Sequence, residues 1–394
     1  MTSTHGRGLL HLAAAVDQPV AGQQALPDVD LYVEAARLAE SGGLDFVTLG
    51  DSFAHPGPDA LGVLARIAPA TARIGLVATG TTTYAEPFHA RAALATLVRV
   101  SGGRAGRQLD LPATEAGTGS GAEDRTVAEA EAEAGAETAT RLFGRRRAAP
   151  GGTPPGEIGE VADRAARLWD SKEGDAGTRD LATGRFVDEG KPHHVDFESA
   201  TFSGTGPSTG PSALPKPSQG HPVRVVDATE TQARRLAARY ADVVLVRAVS
   251  AAQAGAVRDE LRLAAEDLGR DPDELRVLAS LVVDLGGGEY AAEPGHGGGG
   301  PRPSAQGPLY RGGPVDLAEL ITAWHASGVV DGFHLVPAEP RRDLERLVNG
   351  TVALLQHRSL FRTFYPGSTL REHLGLARPV KQCAGPVVSA GGAS

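Results

Sequence analysis

The feature that most constrains the fold is a unit that recurs along the chain. It consists of a short apolar segment, a polar or Gly/Pro-rich loop, an amphipathic helical pattern and a glycine stop. The stretches ESGGLDF, VSGGRAG and ASGVVDGF each place glycine between the end of a helical pattern and the start of an apolar segment. Glycine suits the left-handed C-terminal cap of a helix. The recurrence therefore predicts strands that alternate with helices, as in α/β proteins with a parallel sheet.

Eight apolar segments are predicted to be the strands of this sheet. They cover residues 9–16, 46–51, 73–80, 105–111, 222–228, 242–248, 275–285 and 331–337. Their apolar runs are nearly continuous, which is typical of strands covered on both faces. Eight strand–helix units predict a (β/α)8 TIM barrel, a fold that takes about 250 residues. The 394-residue chain is therefore interpreted as a single barrel domain, 1–394, with insertions after strands 4 and 7.

The insertions are predicted from composition. Residues 112–157 are rich in Ala, Glu and Gly and are interpreted as a solvated surface segment. Residues 171–221 are polar and rich in Pro, Gly and Ser, and they precede the fifth strand. The Gly-rich stretch 287–313 follows the seventh strand and is predicted to be a mobile loop, with a lid over the active face as the alternative. Residues 360–394 are predicted to be a tail after the eighth helix.

Charge and cysteine content limit the partners and the compartment. The net charge is −9, from 39 basic and 48 acidic residues, which disfavours nucleic acid and anionic membranes as main partners. No apolar stretch reaches transmembrane length. The N-terminal run HGRGLLHLAAAVDQPVAG is interpreted as the first strand rather than a signal peptide, because His11 interrupts its apolar part. The single cysteine, Cys383, permits no internal disulfide and suits a reducing cytosol, so a cytoplasmic protein is expected.

Candidate site residues lie at the carboxyl ends of the predicted strands, where TIM barrels carry their active sites. These residues are Asp17, Asp51, Ser52, Thr79, Thr81, Thr82, Thr83, Asp110, Asp227, Thr229, Arg247, His334 and Pro337. The row of threonines after the third strand offers hydroxyl groups to a polar ligand. It also suits simple β-branched strand filler or the N-cap of the next helix. Spacing alone leaves both interpretations open.

No metal site is predicted, and no catalytic residue is assigned. His193, His194 and Asp196 lie in the predicted insertion without a second ligand pair at a useful spacing, so they are interpreted as loop surface. His334 is interpreted as a core or rim histidine rather than a catalyst.

Several stretches together resemble one enzyme family across nearly the whole chain. They are AARLAESGGLDFVTLGDS (35–52), IGLVATGTTTYAEPFHARAALATLVRVSGGRAG (74–106), RLWDS (167–171), RDLATGRFVDEGKPHHVDFESATFSGTGPS (179–208), RLAARYADVVLV (235–246) and QHRSLFRTFYPGSTLREHLGL (356–376). In combination they are similar to the bacterial-luciferase-like flavin-dependent monooxygenases. The most similar branch includes the nitrilotriacetate, EDTA and dibenzothiophene-sulfone monooxygenases.

The resemblance implies a (β/α)8 barrel that is a homodimer or a larger homo-oligomer. It implies reduced FMN, delivered by a separate flavin reductase, and O2 as the means of oxygenating a small organic substrate. The deazaflavin F420 is the alternative cofactor. The matching cofactor-binding positions are Asp51, Thr79, Thr81 and Thr229.

The chain departs from the family pattern at four places. Asp17 stands near the end of the first strand, where a histidine is common, and Arg107 replaces a tryptophan. The segment after the fourth strand lacks the family's His-x-x-x-Tyr pair. The turn after the fifth strand reads DATE (227–230), whose carboxylates would repel a phosphate unless Arg224 or Arg247 compensates. These departures support an alternative, a degenerate barrel that acts as a partner subunit or a small-molecule binder.

Overall fold

Eight parallel strands close into a barrel in the computed structural model, which describes residues 10–18, 28–51, 58–80, 87–109, 177–180, 185–187, 220–286 and 300–378. The barrel strands are β1 (His11–Ala15), β2 (Phe46–Asp51), β3 (Gly75–Gly80), β4 (Ala105–Leu109), β7 (Val223–Asp227), β8 (Val243–Val246), β9 (Arg276–Asp284) and β12 (Gly332–Pro337). They pair in this order, and β12 pairs with β1 to close the ring. The predicted (β/α)8 barrel is therefore confirmed.

Helices surround the barrel. They are α1 (Val29–Ser41), α2 (Ala60–Ile67), α3 (Pro87–Val100), α4 (Thr231–Tyr240), α5 (Ala251–Asp267), α6 (Pro314–Ser327), α7 (Pro340–Arg346), α8 (Ala353–His357) and α9 (Leu370–His373). A π-helical segment, Leu347–Val352, joins α7 to α8, and 3-10 turns span Ala68–Ala70 and Pro272–Glu274. Gly328 ends α6 in the left-handed conformation, with φ of 76°, as the glycine stops predict. Within the described ranges, no helix is long and apolar enough to cross a membrane.

The strands are apolar on both faces because two hydrophobic clusters sandwich them. One cluster fills the space between the barrel and its helices. The other fills the barrel interior, and it contains Ala13, Phe46, Val77, Val223, Val225, Val243, Leu245 and Leu278 together with Leu370 and Leu374. The two clusters explain why the predicted strands show continuous apolar runs rather than alternation.

The amino-terminal end of the barrel is closed by residues 360–378, which we call the floor segment. Leu370 and Leu374 from this segment are fully buried against the barrel interior. Arg362 Nη1 pairs with Asp45, just before β2, at 2.9 Å, and Arg371 Nη2 pairs with Asp242, just before β8, at 3.1 Å. The described part of the predicted tail is therefore built into the barrel.

At the same end of the barrel, one type of hydrogen bond recurs between neighbouring strands. The aspartate that directly precedes a strand accepts a backbone N–H from the neighbouring strand. The three pairs are Leu12 N to Asp45 Oδ2, Arg224 N to Asp242 Oδ2 and Val277 N to Asp331 Oδ2, each at 2.8 Å. These bonds satisfy edge donors that would otherwise be buried without a partner.

The predicted Gly-rich loop 287–313 contains a β-hairpin in the part that is described, residues 300–313. Strand β10 (Arg302–Ser304) pairs antiparallel with β11 (Gly307–Arg311). Strand β11 then pairs in parallel with the last residues of β9, from Val282 to Asp284, whereas β8 pairs with the first residues of β9. The hairpin therefore continues the line of β8 and raises the barrel wall at the carboxyl end.

The predicted insertion 171–221 is described only in part. Strands β5 (Gly177–Asp180) and β6 (Arg185–Val187) form a separate antiparallel pair within it. Residues 112–157, also predicted to be an insertion, lie outside the described residues, as do His193 and His194.

Candidate active site

The carboxyl end of the barrel, which we call the mouth, gathers polar side chains from most of the strands. Side chains on a strand alternate between its two faces. The residues two or four positions after a residue of the interior cluster therefore also point into the barrel. That rule assigns to the interior Thr48 and Gly50 on β2, Thr79 on β3, Asp227 on β7 and Ser280 on β9. His334 on β12 joins them as the register partner of Ser280. Polar groups thus replace apolar ones as the interior approaches the mouth.

Asp17, Gly50 and Thr79 form the best-defined group, which we call the mouth cluster. The backbone N–H of Gly50 donates to Asp17 Oδ1 at 2.8 Å, which fixes the carboxyl group after the end of β1. Gly50 and Thr79 are direct register partners on β2 and β3. A Cβ added to Gly50 would lie 3.0 Å from Thr79 Oγ1 and 3.2 Å from Asp17 Oδ1. Both oxygens therefore lie close to Gly50 and to each other, in a space that a side chain at this position would crowd.

Asp17 is an exposed residue whose carboxyl group is nevertheless desolvated. Its residue surface is accessible, but the surrounding barrel wall desolvates it and raises its pKa, against the lowering effect of the Gly50 N–H. Both observations fit a side chain inside a concave opening, where solvent enters but protein atoms exclude most of the hydration shell. Desolvated carboxylates in clefts are typical of functional sites.

One layer below the mouth, a buried histidine links three strands. His334 Nε2 lies 2.9 Å from Thr48 Oγ1, and His334 Nδ1 lies 3.0 Å from Ser280 Oγ. Burial lowers the pKa of His334 to about 4, so the ring is neutral near neutral pH. A neutral ring held at both nitrogens orients its partners and does not exchange protons in that range.

The acidic turn after β7 is compensated by an arginine of the next barrel strand. Arg247 Nη2 pairs with Asp227 Oδ2 at 3.1 Å, and about half of the Arg247 side chain is exposed. Arg224, the other cation predicted as a partner, instead pairs with Asp242 at 3.4 Å at the opposite end of the barrel. Strand alternation gives the reason, since Asp227 points inward from the end of β7 whereas Arg224 lies at its beginning and on the other face.

The hairpin meets this ion pair. A Cβ added to Gly307, which has φ of 116°, would lie 3.5 Å from Arg247 Cδ, so the hairpin turn rests on the aliphatic part of Arg247. At the other end of β11, Arg311 Nε donates to Asp284 Oδ2 at 2.9 Å, and Arg342 Nη2 donates to Asp284 Oδ1 at 2.7 Å. The raised wall of the mouth is thereby attached at both ends.

The four predicted cofactor-binding positions differ in where they lie and in whether their side chains are described. Thr79 lies in the mouth cluster. Thr229 follows β7, and its hydroxyl and backbone N–H both donate to Asp227 Oδ1, so the structure brings it to the ion pair and not to the mouth cluster. Asp51 ends β2, but its side chain is not described, and Thr81 lies outside the described residues.

Sequence reasoning did not single out Gly50, Thr48 or Ser280. The polar residues among them interrupt otherwise apolar strands, in FVTLGD and RVLASLVVD, and that interruption is the signal that could have found them. Gly50 could not be found this way, because its role depends on its register with Thr79. Within the described ranges, no group of three or more His, Cys, Asp or Glu residues is placed to hold a metal ion.

Comparison with known proteins agrees with this architecture. Residues 8–109 and 135–296 match the family model of the luciferase-like monooxygenases. The chain is 27% identical over 451 residues to N-acetyl-S-(2-succino)cysteine monooxygenase of Bacillus subtilis (strain 168), with 96% of each protein covered. It is 29% identical over 453 residues to nitrilotriacetate monooxygenase component A of Aminobacter aminovorans, covering 93% of this chain and 94% of the relative.

A solved structure shares the fold at lower sequence identity. A riboflavin lyase, crystallised with a modified FMN and riboflavin, superposes with a TM-score of 0.73 at 19% identity, over 94% of this chain and 97% of that protein. The family model covers well over half of the chain, and the resemblance seen in the sequence is confirmed. The chain belongs to the luciferase-like monooxygenase family.

Proposed function

We propose that the protein is a flavin-dependent monooxygenase that uses reduced FMN and O2 to oxygenate a small organic substrate. A separate flavin reductase supplies the reduced FMN. The observation that carries the proposal is the mouth cluster, in which the polar groups of Thr79 and Asp17 meet at Gly50, at the end of the barrel where this fold places its chemistry.

The mouth cluster fits a flat ring with polar edges. A side chain at Gly50 would push against Thr79 Oγ1 and Asp17 Oδ1, so glycine lets these two polar atoms lie close together, where one ring edge can reach both. The Thr79 hydroxyl can donate and accept hydrogen bonds, and the Asp17 carboxyl adds a second polar contact. On the other side of the mouth, Arg247 offsets the charge of Asp227 and leaves part of its guanidinium for an anionic group such as a phosphate.

In this proposal the protein binds, orients and shields. Bound reduced FMN would supply the electrons and activate O2. Thr79 holds a ring edge, Arg247 holds the anionic end, and Asp17 holds a proton at its carboxyl group. The raised wall built by the hairpin limits access of water to the mouth. Asp51, Thr81 and Thr229 are proposed as further cofactor contacts because they follow β2, β3 and β7 at the same end of the barrel.

The proposal extends to the organisation of the protein. It treats 1–394 as one barrel domain that forms a cytoplasmic homodimer or a larger homo-oligomer. The family membership and the name of the component A relative support a reductase partner. F420 is retained as the alternative cofactor, because the mouth cluster alone does not distinguish two flavin-like rings.

An anaerobic titration with reduced FMN tests the proposal directly. We expect binding tighter than about 100 µM, and no binding at that concentration, about 5.5 kcal/mol of affinity, would contradict the flavin-dependent function. A parallel titration with reduced F420 tests the alternative cofactor, which is favoured only if F420 binds and FMN does not.

Thr79→Val tests the proposed ring contact. The variant removes a hydroxyl and keeps the shape, so FMN affinity is expected to fall about three- to tenfold. Thr96→Val, on the exposed face of α3, is the matched control and should bind like the unmodified protein. Equal affinity of the Thr79 and Thr96 variants would remove Thr79 from the site.

A further inference from the structure

Asp17 differs from the other described aspartates of the barrel ends in having no charged partner among the residues that the structure describes. Asp227 has Arg247, Asp45 has Arg362, and Asp242 has Arg371. For Asp17, the described contact of the carboxyl group with another residue is the single N–H of Gly50, and no cation among the described residues acts on it. A desolvated carboxylate without a counter-charge is costly, and nothing in the fold of the described residues requires it.

The carboxyl group of Asp17 accepts few hydrogen bonds from the described residues. The N–H of Gly50 donates to Oδ1, and the other donor is the backbone N–H of Asp17 itself. Asp17 remains an exposed residue at the mouth, and Thr79 Oγ1 lies close to its carboxyl group, since both oxygens crowd the same point at Gly50. A ligand that contacts Thr79 at the mouth is therefore within reach of Asp17.

We propose that Asp17 contacts the ring bound at the mouth and, as the neutral carboxylic acid, donates a hydrogen bond from Oδ2 to an acceptor atom of that ring. This inference rests on the proposed function, since it assigns a contact within the same site. The ring covers the exposed carboxyl group and removes its remaining water. Loss of that water favours the uncharged form of the group, so ligand binding is coupled to the uptake of a proton.

The titratable groups described on the elements around Asp17 keep one protonation state near neutral pH. On α1, Tyr32 is titratable, and burial together with the Asp17 charge raises its pKa, so it stays protonated near neutral pH. On β12, burial lowers the pKa of His334 to about 4, so it stays neutral. Thr79 on β3 does not titrate, and on β2 the side chain of Asp51 is not described and receives its own variant below.

The experiment is an anaerobic titration with reduced FMN across roughly pH 5 to 8, on the full-length protein and on Asp17→Asn. Asparagine keeps the acceptor for Gly50 N–H and carries a permanent donor, so it imitates the neutral acid. As the pH rises, the affinity of the unmodified protein for reduced FMN is expected to fall, relative to that of Asp17→Asn, by up to about tenfold per pH unit. Dividing the two affinities at each pH cancels any ionisation of FMN itself.

Two further measurements complete the test. Calorimetry in buffers of different ionisation enthalpy should show more proton uptake for the unmodified protein than for Asp17→Asn. Asp17→Ala, which removes the donor, should bind about three- to tenfold more weakly than Asp17→Asn at every pH. Asp259→Asn, on the exposed face of α5, is the matched charge control and should keep the pH dependence of the unmodified protein.

The outcomes separate the two proposals. The same pH dependence in the unmodified protein and Asp17→Asn would overturn the role of Asp17 and leave the flavin-dependent function standing, and so would a pH dependence abolished only by Asp51→Asn. Failure of every variant and of the unmodified protein to bind reduced FMN would overturn the proposed function, and the role of Asp17 with it.

Discussion

Two aspartates at opposite ends of the barrel show how burial and neighbouring groups decide whether the fold favours the charged or the neutral form of a carboxyl group. Asp17, at the mouth, is desolvated without a counter-charge, and its pKa is raised. Asp45, at the floor, is fully buried, which alone would raise its pKa. His11, Arg362 and the N–H of Leu12 outweigh that effect and lower it. The first arrangement costs stability at neutral pH and the second contributes to it.

Asp17→Asn is expected to raise the melting temperature at neutral pH, because it removes a charge that the folded protein disfavours. A raised folded pKa means that the folded state binds the proton more tightly than the unfolded chain does. The gain should therefore shrink as the pH falls and vanish below about 3.9, the ordinary value for aspartate. Thermal unfolding followed by circular dichroism at two pH values measures this. A lower melting temperature at neutral pH would contradict it.

Removing the arginine partner of Asp45 is expected to lower the stability of the protein strongly, whereas Asp17→Asn is expected to raise it. Arg362→Met should destabilise the protein by about 3–5 kcal/mol, since it leaves a fully buried carboxylate that His11 and the N–H of Leu12 compensate only in part. The loss should be smaller in acid, because the lowered pKa of Asp45 makes its contribution fade as the pH falls below about 3.9. Urea unfolding gives the free energy. Arg341→Met, on an exposed face of α7 with 77% of its side chain accessible, should change it by less than about 0.5 kcal/mol.

At the scale of elements, the barrel strands were predictable and the hairpin was not. Continuous apolar runs arise wherever a strand is covered on both faces, so all eight strands could be located within a few residues. Strand β10 has only three residues, all exposed, and β11 follows a Gly- and Pro-rich stretch that is typical of loops. Its pairing depends on the carboxyl end of β9, which extends beyond β8, and local sequence does not encode that difference in length.

The hairpin is expected to open locally when its attachment to β9 is weakened. Arg311→Gln removes the ion pair with Asp284, which is partly exposed and worth about 0.2–1 kcal/mol. The global stability should hardly change, whereas hydrogen exchange of the amides of residues 302–311 should become faster by about two- to fivefold. Arg341→Gln is the control. Unchanged exchange in the hairpin would show that strand pairing alone holds it.

At the scale of the whole molecule, the sequence predicts which polar residues meet at the mouth but not how they pair with one another. The strand-end rule locates Asp17, Thr79, Asp227 and Arg247 together because all parallel strands end on one side. Which arginine meets Asp227 depends on the direction of each side chain across two strands. The floor segment was missed for a related reason, since Leu370 and Leu374 look like any short amphipathic turn until the barrel interior is available to receive them.

Loss of floor packing is expected to lower the stability of the entire barrel. Leu370→Ala and Leu374→Ala each delete a fully buried side chain and should cost about 2–5 kcal/mol. Leu263→Ala, on α5 with 62% exposure, should cost less than about 0.5 kcal/mol. Chemical unfolding measures all three. A cost near zero for both floor variants would show that the segment covers the barrel without supporting it.

The floor segment is synthesised long after the first strand of the barrel that it closes. The strand β1 leaves the ribosome early, whereas Leu370 lies 359 positions after His11. At about 5–20 residues per second, translation takes on the order of 20–70 s to cover that distance. Throughout that interval Asp45 and Asp242 have not yet met Arg362 and Arg371, and the apolar interior of the barrel is open to water at one end. A nascent chain of this protein therefore exposes part of its apolar barrel interior until its last described helix has been synthesised.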